Sequence, residues 1–213
     1  MSYAVKEIFL TVQGEGVRAG TVAVFLRFAG CNLWSGLERD RASAICKFCD
    51  TDFVKTDGVN GGSYDAKELT QQVLSLWRGA GEKWVVCTGG EPALQLDTTL
   101  VLALHEAGFK IAIETNGTLA VEKDIDWICV SPKADAKLVQ TSGHELKLVY
   151  PQDENDPSDF TELDFQHFCL QPRDDTYLGK EEKADHSDAA FQYCLANPIW
   201  RLSVQTHKSI GVP

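Results

Sequence analysis

The chain has no long apolar run. No stretch of its 213 residues approaches the ~20 apolar positions that span a bilayer, so no membrane partner is expected. Positive charge is also scarce: 20 Lys and Arg against 31 Asp and Glu leave a formal charge of −11. A broad nucleic-acid face needs clustered cations on phosphates, so no nucleic-acid partner is expected; one buried Arg could still hold a small anion. The opening residues, MSYAVKEIFLTVQGEG, lack the basic and apolar regions of a secretory leader, which predicts a cytoplasmic protein. No repeat or low-complexity tract marks a boundary. Residues 1–213 are therefore expected to form a single domain, and 44% apolar and 24% charged residues suit a soluble core.

The cysteine count is not even. Seven cysteines in a reducing compartment argue against a disulfide framework. Cys87, Cys129, Cys169 and Cys194 lie in the apolar runs WVVC, WICV, FCL and YCL, and read as buried small hydrophobes. Cys31, Cys46 and Cys49 lie in a polar stretch, with 14 and then 2 residues between them. Three is one ligand fewer than a closed zinc site or an electron-transfer [4Fe–4S] cluster takes. Three thiolates would hold a cubane and leave one iron open for chemistry. The alternative is a three-cysteine zinc site completed by a histidine, but His105, His144, His167, His186 and His207 are all remote in sequence.

Short apolar runs alternate with helical patterns, the signature of an α/β protein with a parallel sheet. Strands are predicted near Thr21–Phe28, Trp84–Cys87, Phe109–Ile113, Trp127–Val130, Glu145–Tyr150, Phe168–Leu170 and Trp200–Val204. Alternation in the first puts Arg27 on the face of Phe25 and Ala23. Helices are predicted at Ala66–Arg78, with an Asp65/Glu68 capping box and Gly79 or Gly81 at its end, at Thr98–Ala107 after an Asp97 cap, and at Lys183–Ala196. The acidic, proline-containing stretch Pro151–Asp159 reads as a loop. Polar motifs follow four strands: Thr88-Gly89-Gly90-Glu91-Pro92, Glu114-Thr115-Asn116-Gly117, Ser131-Pro132-Lys133 and Gln171-Pro172. Ligands of such folds bind at the carboxyl ends of strands, so four clusters there predict one shared mouth.

Three cysteines followed by TGGEP resemble the radical S-adenosylmethionine (SAM) enzymes. That superfamily commonly places three residues between the first two cysteines. The 14 found here, Asn32 to Ile45, are similar to a variant spacing in the 7-carboxy-7-deazaguanine synthase family. QGEG at Gln13–Gly16, FLRFAGCNL at Phe25–Leu33, CDT at Cys49–Thr51, ETNG, SPK and QTHK at Gln205–Lys208 resemble that family in order along nearly the whole chain.

The resemblance implies an incomplete, TIM-like βα barrel with fewer helices than strands. It implies ring contraction of 6-carboxy-5,6,7,8-tetrahydropterin with loss of ammonia, SAM being used catalytically, and Mg²⁺ as a further cofactor. Cys31, Cys46 and Cys49 would ligate the [4Fe–4S] cluster. Phe48, Gly89, Gly90, Glu91, Glu114, Asn116, Ser131, Lys133 and Gln171 would bind SAM. The backbone carbonyls at Gly89 and Gly90, together with Glu91, would accept from the SAM amine. Thr51, with Asp50, would touch Mg²⁺. Gln13, Gly14, Glu15, Arg27, Thr88, His207 and Pro213 would meet the substrate, Glu15 and Gln13 reading its amino and amide groups and Arg27 its carboxylate. A homodimer and a reductant such as flavodoxin are expected on the same basis. Two other classes stay open: an activase that places a glycyl radical on a partner protein, and a non-catalytic iron–sulfur or zinc protein.

Overall fold

The computed structural model describes residues 2–175 and 185–212. Nine strands form one sheet: β1 (Tyr3–Val12), β2 (Val22–Phe28), β3 (Gly62–Tyr64), β4 (Lys83–Gly89), β5 (Phe109–Thr115), β6 (Trp127–Val130), β7 (Ser142–Tyr150), β8 (Asp164–Pro172) and β9 (Trp200–Leu202). Four α-helices accompany them among the described residues: α1 (Ala66–Leu76), α2 (Thr98–Glu106), α3 (Ser187–Ala196) and α4 (Thr206–Ile210). The order is β3-β1-β2-β4-β5-β6-β7-β8-β9. Every pair from β2 to β9 is parallel, while β1 runs antiparallel to β2 and β3. This is an α/β fold with an open sheet, and no helix of the described residues is long and apolar enough to cross a membrane.

The antiparallel edge was not expected. In β1 the register shifts between Val5 and Glu7. That irregularity puts Lys6 and Glu7 side by side in a strand whose alternation would otherwise be legible. β3 is only three residues long. At the other end of the prediction, α1 carries the anticipated capping box, but it stops at Leu76 rather than at a glycine. Trp77 takes an extended conformation, donates from its indole to the Gly79 carbonyl at 2.8 Å and packs edge-on against Phe109, which draws the chain off the helix. α3 is described from Ser187; Lys183 lies outside the described residues.

The sheet is curled. β1 and β7 are five steps apart in the order, roughly 24 Å if the sheet were flat. The loop leaving β1 nevertheless bonds directly to the far strands. Val17 N donates to Glu145 Oε2 at 3.2 Å, and Gly16 N to Ser203 Oγ at 2.8 Å. α1 and α2 cover the outer face over Val24, Leu26, Val85, Ile111 and Ile113, and α3 covers Leu146, Leu148 and Leu170. Inside the curl, Arg18 lies 3.5 Å from the centroid of Trp84 and 5.4 Å from that of Trp127, closing the end opposite the strand carboxyl termini.

The 14 residues between Cys31 and Cys46 fold on themselves. Glu38–Ser43 form a 3₁₀ turn. Arg41 lies over the Trp34 ring at 4.1 Å, its Nε donating to both Glu38 oxygens. Its Nη1 donates to the carbonyls of Lys47 and Cys49 at 3.0 and 3.1 Å. Trp34 in turn stands edge-on to the buried Phe53. One guanidinium thus ties the insertion to the segment carrying Cys46 and Cys49. Charge-assisted bonds contribute about 1.5–3 kcal/mol each, so Arg41→Gln should open this segment. In the cluster-free protein, alkylation of Cys46, which is 5% exposed, should speed up at least tenfold while the global melting temperature moves little. An unchanged rate would mean that the clip does not depend on Arg41.

Candidate active site

A cleft of about 450 Å³ opens where the parallel strands end. β2 contributes Arg27, and its register partner Thr88 is the penultimate residue of β4. Gly89 ends β4 and Gly90 follows it; then come Glu114 at the end of β5 and Asn116 just after it, Ser131 and Lys133 after β6, and Gln171 at the end of β8. The loop after β1 adds Gln13, Gly14 and Glu15. The cysteine segment adds Cys46, Phe48, Cys49, Asp50 and Thr51, and α4 adds His207. The four strand-end motifs do line one mouth. Pro213 lies outside the described residues.

The glycines are needed sterically. Gly89 has φ +135°, and a Cβ there would strike the Phe28 carbonyl; one on Gly90 would strike the Gly30 carbonyl. The TGGEP turn therefore lies directly against the strand end that leads into Cys31. Gly14 is equally closed, because a side chain there would collide with the imidazole of His207. Thr206 fixes this approach by donating from N and Oγ1 to the Gly14 carbonyl, both at 2.9 Å.

The cysteines converge. The Cys46 thiol hydrogen-bonds to the Cys49 sulfur, which pushes the Cys46 pKa up and holds Cys49 down at about 7. Cys31 is raised by burial and feels Cys49 electrostatically. Cys31 borders a smaller recess beside the main cleft, formed with Trp34 and Ile45 of the insertion. No group of three or more His, Cys, Asp or Glu among the described residues closes on a single metal ion. Three soft thiols on one loop system are the donor set that an iron–sulfur cluster takes, and the residues present fit that group.

Glu91 is placed differently from the expectation. It is fully buried. Its Oε1 accepts from Thr115 Oγ1 at 2.7 Å and Ala93 N at 2.9 Å, and its Oε2 from Asn116 N at 2.7 Å. The carboxylate braces the ends of β4 and β5 from behind, and the cleft side of the motif is the glycine backbone. Asn116 is likewise used by the protein, its amide donating to Asn32 Oδ1 and accepting from Thr118. Asp50 accepts from Lys208 Nζ at 2.7 Å. Arg27 is held through Nε by Glu7 at 2.8 Å.

The most buried charges of the cleft were not anticipated. Lys147, 4% exposed, places Nζ 2.8 Å from Glu15 Oε2 and 2.9 Å from Glu114 Oε2. Gln13 donates to Glu114 Oε1, while Gln205 and Gln171 donate to Glu15 Oε1 at 2.8 and 3.2 Å. Burial alone would raise Glu15, but Lys147, Gln205 and His207 outweigh it and hold the carboxyl at about 2. Burial raises Glu145, on the same strand face, and leaves its Oε1 without a partner among the described residues. The readable signal was in β7 itself: Glu145 and Lys147 sit two apart between Leu146 and Leu148, so one face of a core strand is charged.

With this geometry in hand, the relatives are informative. No family model matches. The chain is 59% identical over 215 residues to the 7-carboxy-7-deazaguanine synthase of Caulobacter vibrioides and 59% identical to that of Burkholderia multivorans, covering all of each protein. The chain belongs to the 7-carboxy-7-deazaguanine synthase family. Relatives as distant as the Bacteroides thetaiotaomicron synthase, 36% identical, still align over the whole of both chains. The solved structure of QueE from Escherichia coli superposes with a TM-score of 0.69 at 27% identity, covering 97% of this chain and 95% of that one. The shared fold of this family is thus the open, mostly parallel barrel described above.

The position of Glu91 makes a prediction that separates a brace from a ligand contact. Glu91→Gln turns a fully satisfied acceptor into a donor facing the Asn116 N–H. It should cost the cluster-free protein about 2–3 kcal/mol in urea unfolding. A residue serving only a bound ligand would leave that stability unchanged.

Proposed function

We propose that this protein is a 7-carboxy-7-deazaguanine synthase. It contracts the ring of 6-carboxy-5,6,7,8-tetrahydropterin to 7-carboxy-7-deazaguanine with loss of ammonia, in the queuosine and deazapurine pathway. What carries the reading is the 59% full-length identity to named synthases, together with one cleft lined by the motifs that define the resemblance. It acts on a small molecule, and the cleft is of that scale.

Cys31, Cys46 and Cys49 would hold a [4Fe–4S] cluster, which together with SAM would supply the reductive radical chemistry of the ring contraction. The backbone of Gly89 and Gly90, which lines the cleft, would accept from the methionyl ammonium of SAM. Glu114, Ser131, Lys133, Gln171, Asn116 and Phe48 bind the rest of that cofactor. Glu15, ionised at neutral pH, accepts from the amino and ring N–H groups of the pterin, and Gln13, Gly14, Thr88 and His207 complete that subsite. Arg27, held by Glu7 through Nε, offers its remaining donors to the substrate carboxylate. The contact between α4 and the Gly14 loop shields the subsite from water.

Mg²⁺ belongs to this reading through Thr51, which lines the cleft beside Asp50. Lys208 already meets the charge of Asp50, so the Thr51 oxygens are the chain's main offer to the metal, and substrate carboxylate and water supply the remainder. We also infer a cytoplasmic homodimer served by a low-potential donor such as flavodoxin; this inference rests on the resemblance.

The test is anaerobic reconstitution with iron and sulfide, followed by mass spectrometry of reduced protein with SAM, Mg²⁺ and the carboxytetrahydropterin. Carboxydeazaguanine should form over many turnovers per SAM. Cys31→Ala, Cys46→Ala and Cys49→Ala should each abolish it, and Thr51→Ala should raise the Mg²⁺ needed for half-maximal rate about tenfold. SAM cleavage without carboxydeazaguanine would remove the assigned substrate.

A further inference from the structure

Apart from His207 on α4, every group expected to touch a ligand in this cleft lies on a strand end or a loop, and Lys147 is buried beneath them. Lys147 projects from the middle of β7. One of its bonds goes to Glu15, on the loop assigned to the pterin. The other goes to Glu114, on the β5 end assigned to SAM. Glu15 belongs to a loop whose strand is five steps away in the sheet, so its ionic link to the wall of β7 is Lys147 alone among the described residues. Gln171 and Gln205 also hold Glu15, but they are neutral.

We propose that Lys147 is a positioning residue that fixes the substrate-reading carboxylate of Glu15 against the SAM-side carboxylate of Glu114, so that pterin recognition depends on a lysine that touches no ligand. This rests on the synthase reading above. Two carboxylates that share one buried cation cannot move independently. Shifting either away leaves an unpaired charge in the interior, which costs several kcal/mol. The same contact decides protonation. The charged or titratable groups acting on Glu15 are Lys147 from β7 and His207 from α4, while Glu114 from β5 and Glu145 from β7 share Lys147 with it. With Lys147 removed, burial pushes Glu15 upward, and only the Gln205 hydrogen bond and the more distant charge of His207 remain to oppose it. A protonated Glu15 presents a donor where the pterin amino group needs an acceptor. In the intact protein Glu15 stays ionised down to about pH 2, so its contribution to pterin binding is present throughout the range from pH 5 to 8.

The experiment is equilibrium binding of the carboxytetrahydropterin to SAM-loaded holoenzyme without reductant, where no turnover occurs, from pH 5 to 8. Lys147→Met should weaken binding most at low pH and recover about tenfold per pH unit as pH rises, measured as the ratio to the parent protein. Because Lys147→Met leaves two buried carboxylates face to face, the charge-balanced Lys147→Met/Glu114→Gln variant is measured beside it. That variant should show the same pH slope. Adding Glu15→Gln to either should erase the slope and weaken binding little further. A ratio that is flat in pH in the folded variants would overturn the proposal while leaving the synthase reading intact. Unchanged pterin affinity in Glu15→Gln alone would overturn the proposal together with the role of Glu15. Absence of pterin binding by the parent protein would instead remove the substrate assignment on which both stand.

Discussion

The structure depends on a buried ammonium. Lys147 sits at 4% exposure with two carboxylates within 3 Å. Burial works to discharge it, but Cys129, Glu114, Glu15 and Glu145 hold its pKa well above the ordinary lysine value. Of these, the Cys129 thiol is itself pushed far up by burial and is neutral, so the carboxylates supply the field. An isolated charge here would be untenable; a charge shared by two strands and a loop becomes a constraint on all three. The curl of the sheet, the seat of the β1–β2 loop and the spacing of the two subsites all meet at that point.

That constraint explains why an open sheet can carry a precise site. A closed barrel fixes its mouth by hydrogen bonding around the whole ring. Here β3 and β9 are the edges of the sheet among the described residues, and side chains bridge the opening. Glu145 accepts from Val17, Ser203 accepts from Gly16, and Lys147 pairs with Glu15. The gap is bridged by polar contacts, which are directional, where a closed barrel uses backbone. Arg18, stacked on Trp84 and Trp127, fills the opposite end with an aromatic and cationic plug.

Much of this was legible in the sequence, for a simple reason: parallel core strands are short apolar runs, and ligand-binding chemistry collects at their carboxyl ends. The runs WVVC, FKIAI and WICV fall in β4, β5 and β6, and each is followed by a polar motif that lines the cleft. What escaped was whatever obeyed no such pattern. β1 hid behind a register irregularity at Lys6–Glu7, and β3 is too short to carry periodicity. Glu91 read as a ligand contact because a motif shows which residue is present but not which way its carboxylate faces. Lys147 and Glu145 went unassigned although alternation with Leu146 and Leu148 puts both on one face. A charged pair at period two inside a core strand implies partners from elsewhere in the chain, and the partners, Glu15 and Glu114, lie 132 and 33 positions away. Local pattern cannot name a partner at that separation.

The long cysteine spacing follows the same division between sheet and loop. A ligand set needs its thiols near one another, not near in sequence. Fourteen residues between Cys31 and Cys46 are harmless if they return the chain to its starting point. Loop closure itself becomes only slowly costlier with length, so the problem is disorder rather than reach. The insertion meets it with one residue: Arg41 stacks on Trp34, binds Glu38 and holds the carbonyls of Lys47 and Cys49. Trp34 is anchored on Phe53, just past Asp50 and Thr51. The cysteine segment is therefore clamped on both sides, by the insertion before it and by the aromatic contact after it. Lys147 and Arg41 solve one problem in two settings. Each is a cation with low exposure that converts a long excursion of chain into a fixed position beside the cleft, one for the loop after β1 and one for the cysteine loop.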